Sequence, residues 1–259
     1  MMNEIIPIWK THGSLSKSII SYEEEDKISE SGPVSLISIA YKYNLPQVVV
    51  IEDTFLSFPS LYKGLPETCK LIYGINFICC KNALDKSETS LKTEHKISIL
   101  IKNSQGYKDL LHIHNFVHTN PDYSYYQTRI DFEIIKKFWT DNLLLLIPPY
   151  DNFIHKNLLF DSICVPDFGP IKPILTFAKM DIPFDYLLEE NIKNYASNNN
   201  YDLQEVHPIY YYKDEDVKSF YTYKLIENRS TFSEPKLDFF CSSSFSWESY
   251  CKKTNVKFI

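Results

Sequence analysis

Apolar positions along the chain fall into two alternating rhythms. Residues 34–45, VSLISIAYKYNL, repeat at helical spacing and stop before Pro46. Residues 47–53, QVVVIED, form a continuous β-branched run that stops in acid, the pattern of a strand buried on both faces. A second strand is predicted over 69–80, CKLIYGINFICC, with a glycine in its middle, and a third over 96–103. A turn and then a helix are predicted over 104–117, and an amphipathic helix over 131–141. NLLLLIPP, 142–149, reads as a buried strand ended by two prolines. The rhythm then repeats, with a helix over 187–200, a strand over 203–212 and a helix over 215–229. About seven strand–helix units predict a mainly parallel α/β protein, with a closed barrel favoured over an open sheet. No linker divides the chain, so a single domain over 1–259 is expected, with the polar stretch 84–95 as a surface loop.

Composition narrows the class. Hydrophobic content is 44% and charged content 23%, which is ordinary for a globular protein, and 15% aromatic residues argue against disorder. The net charge is −6 and there are two arginines, Arg129 and Arg229. A stand-alone nucleic-acid binder carries a basic excess, so any DNA role is expected to be indirect or confined to a local lysine patch. The six cysteines show no CxxC pair, and Cys79 and Cys80 read as buried thiols. The start of the chain lacks a signal-peptide apolar region, and no apolar run approaches the about 20 residues that span a bilayer. A reducing, cytoplasmic location with no membrane partner is expected.

Several motifs carry candidate chemistry. PIWKTHGSL, from residue 7, is a strand running into His12, with Lys10 where an H-x-H pair would have its first imidazole. LLHIHNFVH holds His112, His114 and His118. On a helix His112 and His114 point about 200° apart, whereas His114 and His118 share a face. The acidic run 21–27 reads as a solvated start of a helix or a loop. SYYQTR (124–129) and IYYYK (209–213) set aromatic residues near single cations, a pattern of packing and also of base stacking. No phosphate-cradling glycine-rich loop or nucleophile elbow is present.

The order and wording of these pieces resemble the PHP (polymerase and histidinol phosphatase) domain of the bacterial DNA polymerase III alpha subunit. The matching pieces are PIWKTHGSL, NLPQVVVIEDT, LIYGINFI, ILIKNSQGYKDL and PIYYYKDEDVKSFYTYKLIENRS, and KNSQGYKDL is the most specific. The likeness spans about 6 to about 250 and is poor over 118–186. It implies a distorted (β/α)7-type barrel, with the polymerase palm and fingers lying in domains outside this chain. Partners implied are polymerase core domains or a subunit and the proofreading exonuclease, with DNA contacted only indirectly.

The resemblance also implies where metal ligands would fall. The H-x-H pair falls on Lys10 and His12, and the acid that follows falls near Ile19. The T-D-H triplet falls on Glu52, Asp53 and Thr54, and the Glu of G-x-E on Asn76. A later ligand falls near Pro149, and the D-x-H pair on Pro208 and Tyr210. His12 and Asp53 alone survive as vestigial ligands, and about three protein ligands are needed to hold a catalytic ion. The expected reading is a non-catalytic structural or interaction module of DNA replication or repair, with no cofactor and with Lys10 paired to Asp53 in place of an ion. The alternative is a metal-dependent phosphoesterase or 3′–5′ exonuclease using Zn or Mn, with Glu205 and His207 added to His12 and Asp53 through a shifted alignment. Strand ends are expected near Trp9, Asp53, Asn76, Pro148 and Tyr210, gathered at one mouth.

Overall fold

A computed structural model describes residues 4–15, 17–24, 32–227, 229–231 and 241–258. The protein is a mixed α/β protein that divides into two compact units, each discontinuous in sequence. The first comprises 1–73, 178–185 and 205–259, the second 74–177 and 186–204.

The first unit is built on parallel strands. β1 (Ile6–Trp9) pairs in parallel with β2 (Gln47–Glu52), with Trp9 opposite Val50. On its other side β1 pairs in parallel with β9 (Asp202–Ile209), with Trp9 opposite Ile209. β2 also pairs with β3 (Lys70–Cys80), of which 70–73 belong to this unit. The Val-Val-Val-Ile run of β2 is buried throughout, as a strand covered on both faces requires. Helix α1 (Leu36–Tyr43) starts where the Ser35 hydroxyl accepts from the amides of Ile37 and Ser38, and ends at Asn44 in the left-handed region. Helix α2 (Phe58–Gly64) has its proline in the first turn, where no amide donor is missed. Trp9 packs tilted against Trp247 at 4.9 Å between ring centroids, and Trp247 stacks on Tyr250 at 5.1 Å. Both partners lie on the last helix, α9 (Trp247–Thr254), which the sequence pattern did not predict.

The second unit holds a mixed sheet. β4 (His95–Ile101) runs antiparallel to β3 and to β7 (Leu143–Ile147), and β7 runs parallel to β8 (Ile174–Phe177). β3 continues in parallel with β6 (Gln127–Asp131), which forms a hairpin with β5 (Ser124–Tyr125). The expectation of mainly parallel strands therefore holds only in part, since β4 and the β5–β6 hairpin run antiparallel. The connection from β3 to β4 carries only α3 (Glu88–Leu91), too short for the crossover helix a parallel neighbour needs, so β4 returns antiparallel. The structure also corrects the strand end expected at Asn76. The apolar run after it keeps pairing, and β3 continues to Cys80 with Asn76 opposite Ser98. The strand predicted over 203–212 closes at Ile209, and the predicted turn at 104 is absent.

Helix α4 (Ser104–Thr119) explains the most specific piece of the sequence, KNSQGYKDL. Asn103 caps it by accepting from the Gly106 amide at 2.9 Å. A Cβ on Gly106 would stand 2.4 Å from the carbonyl oxygen of Asn142, so this close approach demands glycine. Leu110, Ile113 and Val117 then bury one face at helical spacing. The unit is completed by α5 (Phe132–Phe138), α6 (Phe153–Leu159) and most of α7 (Asp185–Asn199). In the first unit α8 (Val217–Glu227) follows a 3-10 turn over Asp214–Asp216.

Candidate functional site

The parallel register of β1 and β2 decides what their C-terminal ends bring together. Extending it past Trp9 and Val50 sets Lys10 beside Ile51 and Thr11 beside Glu52. The Lys10 ammonium lies 2.9 Å from Oδ1 of Asp53, and 11% of its side chain is exposed. Glu52 is fully buried. Its Oε1 accepts from the Thr11 amide at 2.9 Å and from the Thr11 hydroxyl at 2.6 Å. Its Oε2 accepts from the Ser14 hydroxyl, which in turn accepts from the Asp53 amide at 2.8 Å. Ser57 adds a hydroxyl 3.0 Å from Tyr73 Oη, and that phenol donates to the Thr54 carbonyl at 2.8 Å. Burial pushes the Glu52 carboxyl above its ordinary range, opposed by Lys10 and the hydroxyl and amide donors. Lys10 thus serves two adjacent carboxylates, one buried and one part-exposed.

His12 is half-buried beside this cage. Its ring packs on Tyr22 at 4.6 Å, and its amide donates to the Ile20 carbonyl at 2.8 Å. Burial lowers its imidazole pKa against the opposing pull of Glu23, so the ring is neutral at pH 7.

The other positions separate clearly. Ile19 donates its amide to the Tyr210 carbonyl at 3.0 Å, just past the end of β9. The Tyr210 ring is held between Phe220 and Phe245. Thr54 is exposed. Pro208 is buried within β9 opposite Ile8. His207 sits opposite Pro7, three residues before Lys10, which is about 10 Å along the strand. Glu205 lies two residues further back and pairs with Lys253 at 2.9 Å. The structure does not bring Glu205 and His207 together with His12 and Asp53. In the second unit, Asn76 accepts from the Ser98 hydroxyl at 2.7 Å, and Pro149 is buried after β7, its carbonyl accepting from the Asn152 side chain at 3.2 Å. Among the described residues no group of three or more His, Cys, Asp or Glu side chains is placed to hold a metal ion. Between the ends of β1 and β2 the Lys10 ammonium occupies the place beside the Asp53 carboxylate.

Sequence reasoning did not anticipate two features. The buried Glu52 carboxylate and its hydroxyl donors are one, and only the place of Glu52 at the end of an apolar run marked it. Asp151, just past Pro149, pairs with Lys96 at 2.8 Å and lies 3.7 Å from Lys156, while its amide donates to Nδ1 of the buried His155. Burial raises the Asp151 pKa, but the two ammonium groups outweigh it and hold the carboxyl below its ordinary range. On α4, His114 and His118 stack at 4.0 Å, and the His118 ring nitrogen meets the His114 carbonyl at 2.8 Å. The acidic run 21–27 is described only as far as residue 24, and 25–27 lie outside the described residues. All six cysteines are free thiols. Among the described residues no helix is long and apolar enough to cross a membrane. The chain matches no protein-family model, and no curated protein matches it significantly.

Proposed function

We propose that this chain is a non-catalytic structural and interaction module of PHP type, related to the one in the DNA polymerase III alpha subunit and serving DNA replication or repair. On this reading its fold is a distorted (β/α)7-type barrel whose metal mouth has been taken over by a fixed internal cation. Its partners are polymerase core domains or a subunit, and the proofreading exonuclease, with DNA approached only through them. The observation that carries the reading is the 2.9 Å ion pair between Lys10 and Asp53 at the ends of β1 and β2. The ammonium neutralises the carboxylate that a divalent ion would otherwise hold, and the neighbouring Glu52 is already occupied by Thr11 and Ser14. The nucleophile-generating step of a metal phosphoesterase needs an ion with an open coordination position.

The test measures metal content of the purified protein together with release of phosphate or mononucleotides, with Mn or Zn added. Substoichiometric metal and no turnover above blank are expected. Stoichiometric metal, with turnover that both His12→Ala and Asp53→Ala abolish, would overturn the reading in favour of a metal-dependent phosphoesterase or exonuclease.

A further inference from the structure

Arg129 is one of two arginines in the chain, and its side chain is fully buried in the second unit. Nη1 donates to the Ser90 hydroxyl at 2.9 Å and to Glu94 Oε1 at 3.3 Å. Nη2 donates to the carbonyls of Ala83 at 3.2 Å and Asp85 at 2.6 Å. Those two carbonyls flank Leu84, so the guanidinium clamps the loop from both sides of that residue. Leu84 is presented outward, 56% exposed. A buried guanidinium is costly unless its donors are met; here Nη1 is met by Ser90 and Glu94 and Nη2 by the two loop carbonyls, while Nε has no hydrogen-bond partner.

The same guanidinium supports a second feature. Its Cζ lies 5.1 Å from the centre of the Tyr125 ring. Tyr125 belongs to the β5–β6 hairpin, in which Tyr125 pairs with Gln127, so Tyr126 alone spans the turn. Tyr126 has φ +60°, a left-handed conformation that glycine or asparagine adopts readily and a bulky residue rarely does. Its ring lies tilted against Tyr125 at 4.6 Å between centroids yet is 85% exposed, the most exposed large apolar residue among the described residues. Lys86 ties the loop to the hairpin through the Pro121 carbonyl at 3.4 Å and the Ser124 carbonyl. A turn that would be more relaxed with asparagine therefore keeps a tyrosine, aimed at solvent and braced from below. A strained position that displays a side chain instead of burying it points to a use outside the chain.

The surroundings select the kind of partner. Residues 82–88 and 121–123 carry Asp85, Glu88 and Asp122 against Lys86, three negative charges against one positive, a net of −2. The Lys86 ammonium is turned onto carbonyls, and the Glu94 carboxylate is used by Arg129 and by Gln127 at 2.9 Å. Phosphates would meet an acidic rim here, and two copies of the same patch would repel. We propose that Tyr126 and Leu84 form a docking epitope for a protein partner with an apolar pocket for the Tyr126 ring and a Lys- or Arg-rich rim. Aromatic anchors are what protein interfaces concentrate their affinity on. The inference stands apart from the strand-end site and survives the failure of the reading proposed for it.

The probe is a phage-displayed library of random peptides selected on the wild-type chain, with depletion on Tyr126→Asn. Selected peptides are expected to combine a small apolar cluster with Lys or Arg. They should lose about tenfold or more in affinity for Tyr126→Asn and a smaller factor for Leu84→Ser. Binding should weaken with added salt. Thermal unfolding decides whether the tyrosine is structural. Tyr126→Asn should unfold at the wild-type temperature or above it, because asparagine suits the left-handed turn. A lower unfolding temperature would overturn the proposal by making the ring an internal packing element. So would the recovery of no peptide that distinguishes wild type from the variant. Oligothymidylate binding lost in Tyr126→Asn would assign the epitope to nucleic acid instead. A concentration-dependent dimer abolished by that substitution would assign it to a second copy of the chain.

Discussion

The ammonium of Lys10 and the carboxylate of Asp53 meet at 2.9 Å across the ends of two parallel strands, next in sequence to the buried Glu52. One cation therefore balances two carboxylates on consecutive residues. Glu52 is not stable there by hydrogen bonding alone, since burial outweighs the donors from Thr11 and Ser14 and leaves its pKa raised.

Lys10→Met tests this arrangement. The substitution keeps the stem and removes the charge, and it should cost about 2 kcal/mol at pH 7, below the full cost of breaking a buried pair because Asp53 is part-exposed. The pH dependence has a definite sign. Glu52 has a folded pKa above its ordinary 4.5, so its stabilising contribution is present below about that pH and is lost as the pH climbs through the raised value. Losing Lys10 raises the pKa further. Urea unfolding should therefore show a large deficit at pH 7 that shrinks toward pH 4.5, and an equal deficit at both would sink the account.

Gly106→Ala should destabilise by about 2 kcal/mol, the usual cost of forcing extra volume into a packed contact. The added Cβ would press on the Asn142 carbonyl oxygen, which also accepts from the Lys102 amide at 3.0 Å and cannot retreat without loosening that bond. Asn103→Ala removes the cap and the exposed Asn103 Nδ2–Asn142 Oδ1 hydrogen bond and should cost about 1 kcal/mol. Chemical denaturation of the two variants side by side checks the ranking, and a neutral Gly106→Ala would refute the close approach.

The chain should be acid-labile well above the carboxylate range. His95, His155 and His207 are buried, and burial pushes each pKa down to about 4. Their contribution is complete above the ordinary value of 6.5 and is lost as the pH falls toward about 4. Within that window each adds about 1.4 kcal/mol of stability per pH unit. Unfolding free energies at pH 7, 6 and 5 should fall steeply, and His207→Leu, which keeps an apolar neighbour for Tyr250, should flatten the slope. A flat profile over this range would show that the three rings are protonated without penalty.

Much of the strand and helix order was legible because it rests on local pattern. The β2 run reads as buried on both faces because no polar residue interrupts it from Val48 to Ile51, and β7 is bounded by its prolines for the same kind of reason. The antiparallel return of β4 was not legible, because the polar stretch before it gives no sign that its helix is only four residues long. The Lys10–Asp53 pair was anticipated from the two positions together with the resemblance. The Glu52 cage was not, because its donors come from Thr11, Ser14 and Ser57, hydroxyls with no spacing rule of their own. Arg129 was read as a cation beside tyrosines, and its burial follows from carbonyls more than forty residues away in the chain.

His12 is the residue on which the candidate site is most open to a direct stability test. In a metal-holding strand end its imidazole would be a ligand, and its loss would release the ion and the folding energy tied to it. Here it packs on Tyr22 and is held neutral by burial. His12→Ala should therefore cost about 1 kcal/mol, the scale of one half-buried ring contact and its hydrogen bonding. On the proposed reading, in which Lys10 stands in for an ion, the deficit should be the same with a chelator present as without. Wild-type protein that loses stability to the chelator, while His12→Ala does not respond to it, would mean that His12 ligates a metal and that Lys10 has not replaced one.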